Sequence, residues 1–280
     1  MFGPKILART LTVPVPGTGG RTWQYHPRSD RHSKVACWGL LFDLLSEDGV
    51  LRQQAAAGRL GFGINHEMRD FARNRKKNLD LVICKRDPLA ATPAKFIDLV
   101  RKYGISLTED EHRRLASLPD LFQATPTTVL VALESKACMT EHSKARPRLY
   151  DELNSSHLTI HGDTDDAIAA GLAVVNAAET FVSPLRNSGP ADVLKGDQVT
   201  RHRQPKATEV VLEKLQELPR RTRPGEVGYD AFGVVVVKCS NDERPCTVVE
   251  RSELALPAIF EYEQFVRRLS QIYATRFASV

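Results

Sequence analysis

The apolar residues of this chain fall into blocks of helical and of strand period. Between Ser33 and Glu47, residues Ala36, Trp38, Leu41, Leu44 and Leu45 recur at the spacing of one buried helical face, with Ser33 placed as an N-cap and Glu47, Asp48 and Gly49 as the stop. The pattern predicts further helices over residues 50–57, 96–103, 108–116, 147–154, 165–179, 209–218 and 257–277. Glu109, Asp110 and Glu111 suit a first turn because acids complement the helix dipole there. Residues 66–75 also read as a helix, entered from the glycine-rich stretch 58–63 and capped by Asn65, with Met68, Phe71 and Ala72 on one face. Three short runs have strand character instead: residues 79–84, 127–139 and 232–239. Thr127 to Leu133 is almost unbroken in its apolar character, and Val234 to Val237 mark a strand buried on both faces. Pro119 and Pro126 bound a connector, residues 183–205 read as a long loop, and the Pro, Gly, Arg and His content of residues 1–32 argues for an irregular arm. Strands separated by helices predict an α/β fold, a sheet flanked by helices, with no internal repeat.

Composition narrows the class without deciding it. The 280 residues are 42% hydrophobic and 26% charged, which excludes a chain that is disordered, collagenous or coiled-coil throughout. No apolar run reaches the ~18 to 20 residues of a bilayer span, and Pro4, Lys5 and Arg9 interrupt the N-terminus, so the expectation is a soluble cytoplasmic protein without a membrane partner. Cys37, Cys84, Cys138, Cys239 and Cys246 are odd in number and scattered through apolar stretches, the pattern of buried reduced thiols. The net charge of +5 is too small to demand a polyanionic partner by itself.

The charged residues that interrupt the strands are the candidate chemistry. Asp80 lies inside the 79–84 strand, and Glu134, Ser135 and Lys136 close the 127–139 strand. Period-two geometry puts Glu134 and Lys136 on one face and turns Ser135 away. A hard divalent cation takes oxygen ligands and commonly only one or two protein carboxylates, so Asp80 and Glu134 could hold one with a lysine beside it. Burying a carboxylate in an apolar strand is costly, and Asp80 therefore needs a metal or a cationic partner. A structural alternative is a Glu134–Lys136 salt bridge with Asp80 at a strand end.

An acid in one strand, followed tens of residues later by Glu-x-Lys at the end of another, resembles the PD-(D/E)xK nuclease superfamily, which includes many restriction endonucleases. The match runs over roughly residues 65–179, with Asp80 as the first acid, Glu134 as the second and Lys136 as the lysine; Leu79 stands where the proline would be. The resemblance implies a restriction-endonuclease-like mixed central sheet flanked by helices, with an irregular N-terminal arm. It implies one domain over residues 1–280: arm and helices over 1–60, nuclease core over 61–240, and a C-terminal loop and helix over 241–280. It further implies a Mg2+ cofactor, with Mn2+ as a substitute, held by Asp80, Glu134 and the carbonyl of Ser135. Glu67 would assist from a helix preceding the first catalytic strand. The activity implied is that of a metal-dependent endodeoxyribonuclease of restriction or phage-defence type, acting on double-stranded DNA. Cutting both strands is most simply done by a homodimer. The alternatives are a non-catalytic DNA-binding or scaffold protein, and a nuclease for branched DNA or RNA.

Basic clusters flank the triad in sequence. Arg73, Arg75, Lys76 and Lys77 precede Asp80, and Lys144, Arg146 and Arg148 follow Lys136, so these seven are candidates for phosphate contact. Arg201 to Arg203 with Lys206, and Arg220, Arg221 and Arg223, are further loop groups. Trp23 and Tyr25 among arginines suit either a DNA-gripping arm or one packed onto the domain. His142, His157 and His161 read as polar or satisfied histidines before ligands or bases. Tyr150 reads as packing, and residues 58–63 lack the Gly-Lys-Ser/Thr of a phosphate-binding loop.

Overall fold

The computed structural model describes residues 1–17, 20–86, 94–187, 196–253 and 256–280; Gly19 of the arm and residues 188–195 of the expected long loop lie outside the described residues. The chain opens with α1 (Gly3–Thr12), the short strands β1 (Val15–Pro16) and β2 (Thr22–Trp23), α2 (Arg31–Glu47) and α3 (Gly49–Ala56). It continues through β3 (Leu60–Asp70), β4 (Arg75–Lys85), α4 (Asp98–Tyr103), α5 (Glu109–Ala116), β5 (Phe122–Gln123) and β6 (Val129–Cys138). Then come α6 (His142–Asp163), β7 (Ile168–Asn176), β8 (Thr180–Val182), β9 (Val199–Arg201), α7 (Lys206–Gln216), β10 (Ala231–Lys238), β11 (Thr247–Val248) and α8 (Tyr262–Phe277).

A seven-stranded mixed sheet, in the order β11-β10-β7-β6-β4-β3-β5, forms the middle of the molecule. β3, β4 and β6 are an antiparallel meander, and β6, β7 and β10 are parallel neighbours. Crossing from β6 to its parallel neighbour β7 requires a long connection, which α6 supplies. One face of the sheet packs a core from α1, α2, α4 and α8, including Ile6, Trp38, Phe42 and Phe265. The other packs Leu149, Leu153 and Ile160 of α6 with Val211 and Leu215 of α7. Among the described residues, no helix is long and apolar enough to cross a membrane, and the five cysteines are buried and free.

Three elements depart from the pattern-based expectation. The irregular arm contains the helix α1. Its N-terminus has no local side-chain cap; instead the buried Asp43 of α2 accepts from the amides of Phe2 and Gly3 at 2.8 Å and from Tyr262 Oη at 2.9 Å. The helices meet closely at Gly39, where a Cβ would fall 2.8 Å from the Gly3 Cα. Residues 66–75 are a hairpin and not a helix: β3 and β4 pair from Leu60–Lys85 out to Asp70–Arg75, and Asp70 Oδ1 accepts from the Arg73 amide at 3.0 Å to hold the turn. Asn65 adopts a left-handed φ of 51° within β3 and caps no helix.

Residues 165–179 contain the central strand β7 where a helix was expected. All nine of its residues are buried, so the sheet hides any alternation, and Ile168, Leu172, Val175 and Ala178 fall at helical spacing and mislead. The predicted 147–154 helix is the middle of the 22-residue α6, which tolerates Pro147 near its start. Arg221 fastens the start of β7 from inside the protein. Its buried guanidinium contacts Asp165 at 2.7 Å and Asp230 at 3.1 Å, and donates to the carbonyls of Asp165 and Ala167.

Candidate functional site

The candidate residues meet where β4 and β6 part. The strands pair from Ile83–Val131 to Leu81–Leu133, and one step further the Ser135 amide donates to Asp80 Oδ2 at 3.0 Å in place of a ladder bond. On the other edge of β4, pairing with β3 runs on both sides of the left-handed Asn65, which lies opposite Asp80 in the register. Asp80 thus sits at a gap shared by three strands, and its side chain is 13% exposed.

Helix α2 closes this gap from one face. Lys34, only 2% exposed, places Nζ 3.2 Å from Asp80 Oδ1 and also donates to Asn65 Oδ1, while Ser33 Oγ donates to Asp80 Oδ1 at 3.2 Å. His32 precedes them and packs on Tyr25 at 4.9 Å between ring centroids. Its pKa is lowered to about 4, by burial first, against the attraction of Asp80.

On the α6 face lies Glu134, 1% exposed. Lys136 Nζ pairs with its Oε1 at 2.7 Å and Lys77 Nζ stands 3.7 Å away, while its buried Oε2 has no hydrogen-bond donor. Burial, then the negative charge of Asp80, raises the Glu134 pKa against the opposing pull of Lys136 and Lys77. Burial depresses Lys136, but Glu134 and Asp80 outweigh it and the net shift is upward. Lys77 is shifted down, by burial before any other cause, and donates to the Glu152 carbonyl at 2.5 Å. Glu152 of α6 stands 3.9 Å from Lys136.

Asp80, Ser135, Lys136 and Glu152 open onto a cleft of about 690 Å3, walled by Tyr25 to Ser33 of the arm, the start of α6, and residues around Phe181 to Arg186. Glu134 lies beneath Lys136 and outside the cleft lining. Arg28, Lys144, Arg148 and Arg186 bring positive charge to the walls, where Lys144 and Arg186 pair with Glu141, Arg148 pairs with Glu152, and Asp30 adds a further carboxylate.

The other sequence candidates are dispersed. Glu67 lies on strand β3, exposed and paired with Lys76 at 2.8 Å, so a helical glutamate assisting the site is not what the fold supplies. Of the seven basic candidates, Lys144 and Arg148 line the cleft and Lys77 approaches Glu134 from below. Arg73 pairs with Asp70 at the hairpin turn; Arg75 and Lys76 start β4, and Arg146 lies on α6 outside the cleft lining. His142, His157 and His161 each contact an oxygen within the protein, at 2.7 Å, 3.0 Å and 2.8 Å. Tyr25 walls the cleft while Trp23 is buried, so the arm is packed onto the domain.

Sequence reading missed Ser33, Lys34, His32 and Glu152. Lys34 had a usable signal: α2 is buried over every residue from Ser33 to Ser46, so its two charges, Lys34 and Asp43, each require a partner from elsewhere in the fold.

The oxygens here are of the type a hard cation takes: the Asp80 and Glu134 carboxylates, with Glu134 Oε2 lacking a hydrogen-bond donor, and the Ser135 carbonyl, which a strand residue sends to the same side as the amide that reaches Asp80. Among the described residues, no group of three or more His, Cys, Asp or Glu is arranged to hold a metal, so any cation here would rely on this smaller set. No protein-family model, curated protein or solved structure matches the chain.

Proposed function

We propose that this protein is a Mg2+-dependent endodeoxyribonuclease of the PD-(D/E)xK type, built on a restriction-endonuclease-like version of its mixed sheet. The observation that carries the reading is the buried Glu134 carboxylate, whose Oε2 has no hydrogen-bond donor, beside Asp80 and Lys136 at a cleft lined by both basic and acidic side chains. A buried acceptor without a donor costs about 1–3 kcal/mol, more when charged, unless a ligand takes it. Asp80, Glu134 and the Ser135 carbonyl would hold the cation, which supplies Lewis acidity toward water and the phosphodiester. Lys136, raised in pKa and so protonated at neutral pH, positions the attacking water or balances charge that develops on the phosphate. Arg28, Lys144, Arg148 and Arg186 would neutralise neighbouring phosphates of duplex DNA. Symmetric cutting of both strands calls for a homodimer.

One feature favours a second reading, that of a DNA-binding scaffold. Lys34 pairs with Asp80 and Lys136 with Glu134, so both carboxylates already have cationic neighbours. Supercoiled and linear DNA incubated with the protein in Mg2+, in Mn2+ and in EDTA separates the two. The nuclease reading requires metal-dependent nicking or fragments that vanish in Lys136→Ala. Binding without cleavage in every metal supports the scaffold.

A further inference from the structure

The start of α6 divides two cavities. Beyond the cleft already described lies a smaller one of about 330 Å3, lined by His142, Ser143 and Lys144 of α6, by Thr200 to Arg203, and by Lys206, Ala207 and Val210 of α7. Glu141 and Lys144 belong to the walls of both, so a chain of phosphates leaving the first can pass directly into the second.

The second cavity is built for an anion. Lys144, Arg201, Arg203 and Lys206 contribute four positive charges. Glu141, the one carboxylate of its lining among the described residues, is engaged by Lys144 at 3.1 Å and Arg186 at 2.6 Å, and Lys206 lies 3.8 Å from Glu209 and 3.9 Å from Glu213 of α7. Arg201 and Arg203 are exposed and make no side-chain ion pair among the described residues. The first turns of α6 and α7 both line it; the α6 start has no side-chain cap, whereas in α7 the Thr208 amide donates to Gln204 Oε1 at 3.2 Å.

Two polar atoms in the walls lack partners. His142 is 3% exposed and uses Nε2 on the Asn176 carbonyl, while its Nδ1 is buried and free of hydrogen bonds; Thr200 Oγ1 is likewise buried and unpartnered. The Thr200 hydroxyl can donate to a phosphate oxygen directly. His142 Nε2 donates to the Asn176 carbonyl and burial holds the ring below its ordinary pKa, so its Nδ1 is an acceptor and the anion contact falls to the Thr200 hydroxyl and the arginines.

We propose that this cavity is a phosphate subsite for the DNA duplex, gripping a backbone phosphodiester on the far side of the α6 start from the Asp80 cleft. The inference rests on the nuclease reading for its ligand. Arginine forks pair bidentately with phosphate, which suits Arg201 and Arg203 to this task.

The test measures binding of a short fluorescein-labelled DNA duplex to the full chain by anisotropy across a salt series, in Ca2+ and in EDTA. Arg201→Ala/Arg203→Ala/Lys206→Ala is compared with wild type and with a charge-matched control, Arg101→Ala/Lys102→Ala/Arg113→Ala on α4 and α5. The subsite predicts about tenfold weaker binding and a log–log salt slope shallower by about two in the first variant alone. Equal affinity and slope in wild type and the first variant overturn the subsite. Equal weakening in both triple variants also overturns it, because net charge then accounts for the effect. Cleavage is scored separately: a wild type that binds with the predicted dependence but never cuts retains the subsite and removes the nuclease reading. A wild type with no DNA affinity removes both.

Discussion

On the proposed reading Asp80 serves both the fold and a cation, and the Lys34 pair allows the two roles to be separated. Lys34 is 2% exposed and Asp80 13%, so neutralising the acid strands a buried ammonium, while removing the lysine leaves an acid that keeps Ser33, the Ser135 amide and the cleft. Breaking a buried pair costs about 3–5 kcal/mol. Asp80→Asn is placed at the lower end, about 3 kcal/mol, because Asn65 still accepts from Lys34. Lys34→Met loses one charge-assisted hydrogen bond whose acceptor stays partly hydrated, about 1 kcal/mol. The double variant then resembles Lys34→Met, giving a coupling energy of about 3 kcal/mol in magnitude. Urea unfolding of the four proteins measures this, with an unchanged m-value as the condition for comparison. Additive effects, or an Asp80→Asn cost below about 1 kcal/mol, would refute the pairing argument. Lys34→Met is also expected to bind Mg2+ at least as well as wild type, since a competing cation has gone.

Other outcomes follow from the same geometry. Ca2+ or Mg2+ at about 100 times its Kd is expected to stabilise the wild type by about 2.7 kcal/mol, read as a rise in Tm, with the rise lost in Glu134→Gln; equal shifts in the two contradict Glu134 as a ligand. His157 has its pKa lowered from 6.5 to about 4, chiefly by burial. Its contribution to stability is complete above pH 6.5 and lost as pH falls toward 4, about 3 kcal/mol in all, so His157→Gln should flatten stability against pH in that window and an unchanged slope argues against it. Arg221→Ala leaves Asp230 buried with Arg276 as its remaining cation and is expected to cost about 3–5 kcal/mol in urea unfolding; a loss below about 1 kcal/mol would show that the network is not structural.

The residues placed by local pattern were legible, and those placed by tertiary contact were not. The apolar run into Glu134 announces β6, and the acids Glu109, Asp110 and Glu111 announce the first turn of α5, because their signals are written in neighbouring residues. Helix α1 has no such signal: its cap comes from Asp43, forty positions along the chain. β7 is buried on both faces, so its sequence carries no alternation to read, and the β3–β4 hairpin places Met68 in the core from a segment whose spacing imitates a helix. At the site, Asp80, Glu134 and Lys136 stood out as charges in apolar strands. The Lys34 contact needed the fold, since nothing local connects residue 34 to residue 80.

The central claim is metal-dependent hydrolysis of DNA at the Asp80–Glu134–Lys136 cluster, and the most direct measurement is single-turnover cleavage of a supercoiled plasmid by the purified full-length protein. Nicked or linear product is predicted in Mg2+, none in EDTA, and a loss of at least about a hundredfold in rate for Lys136→Ala with duplex binding retained. Cleavage that persists in EDTA, or a Lys136→Ala protein that cuts as fast as wild type, would contradict the account.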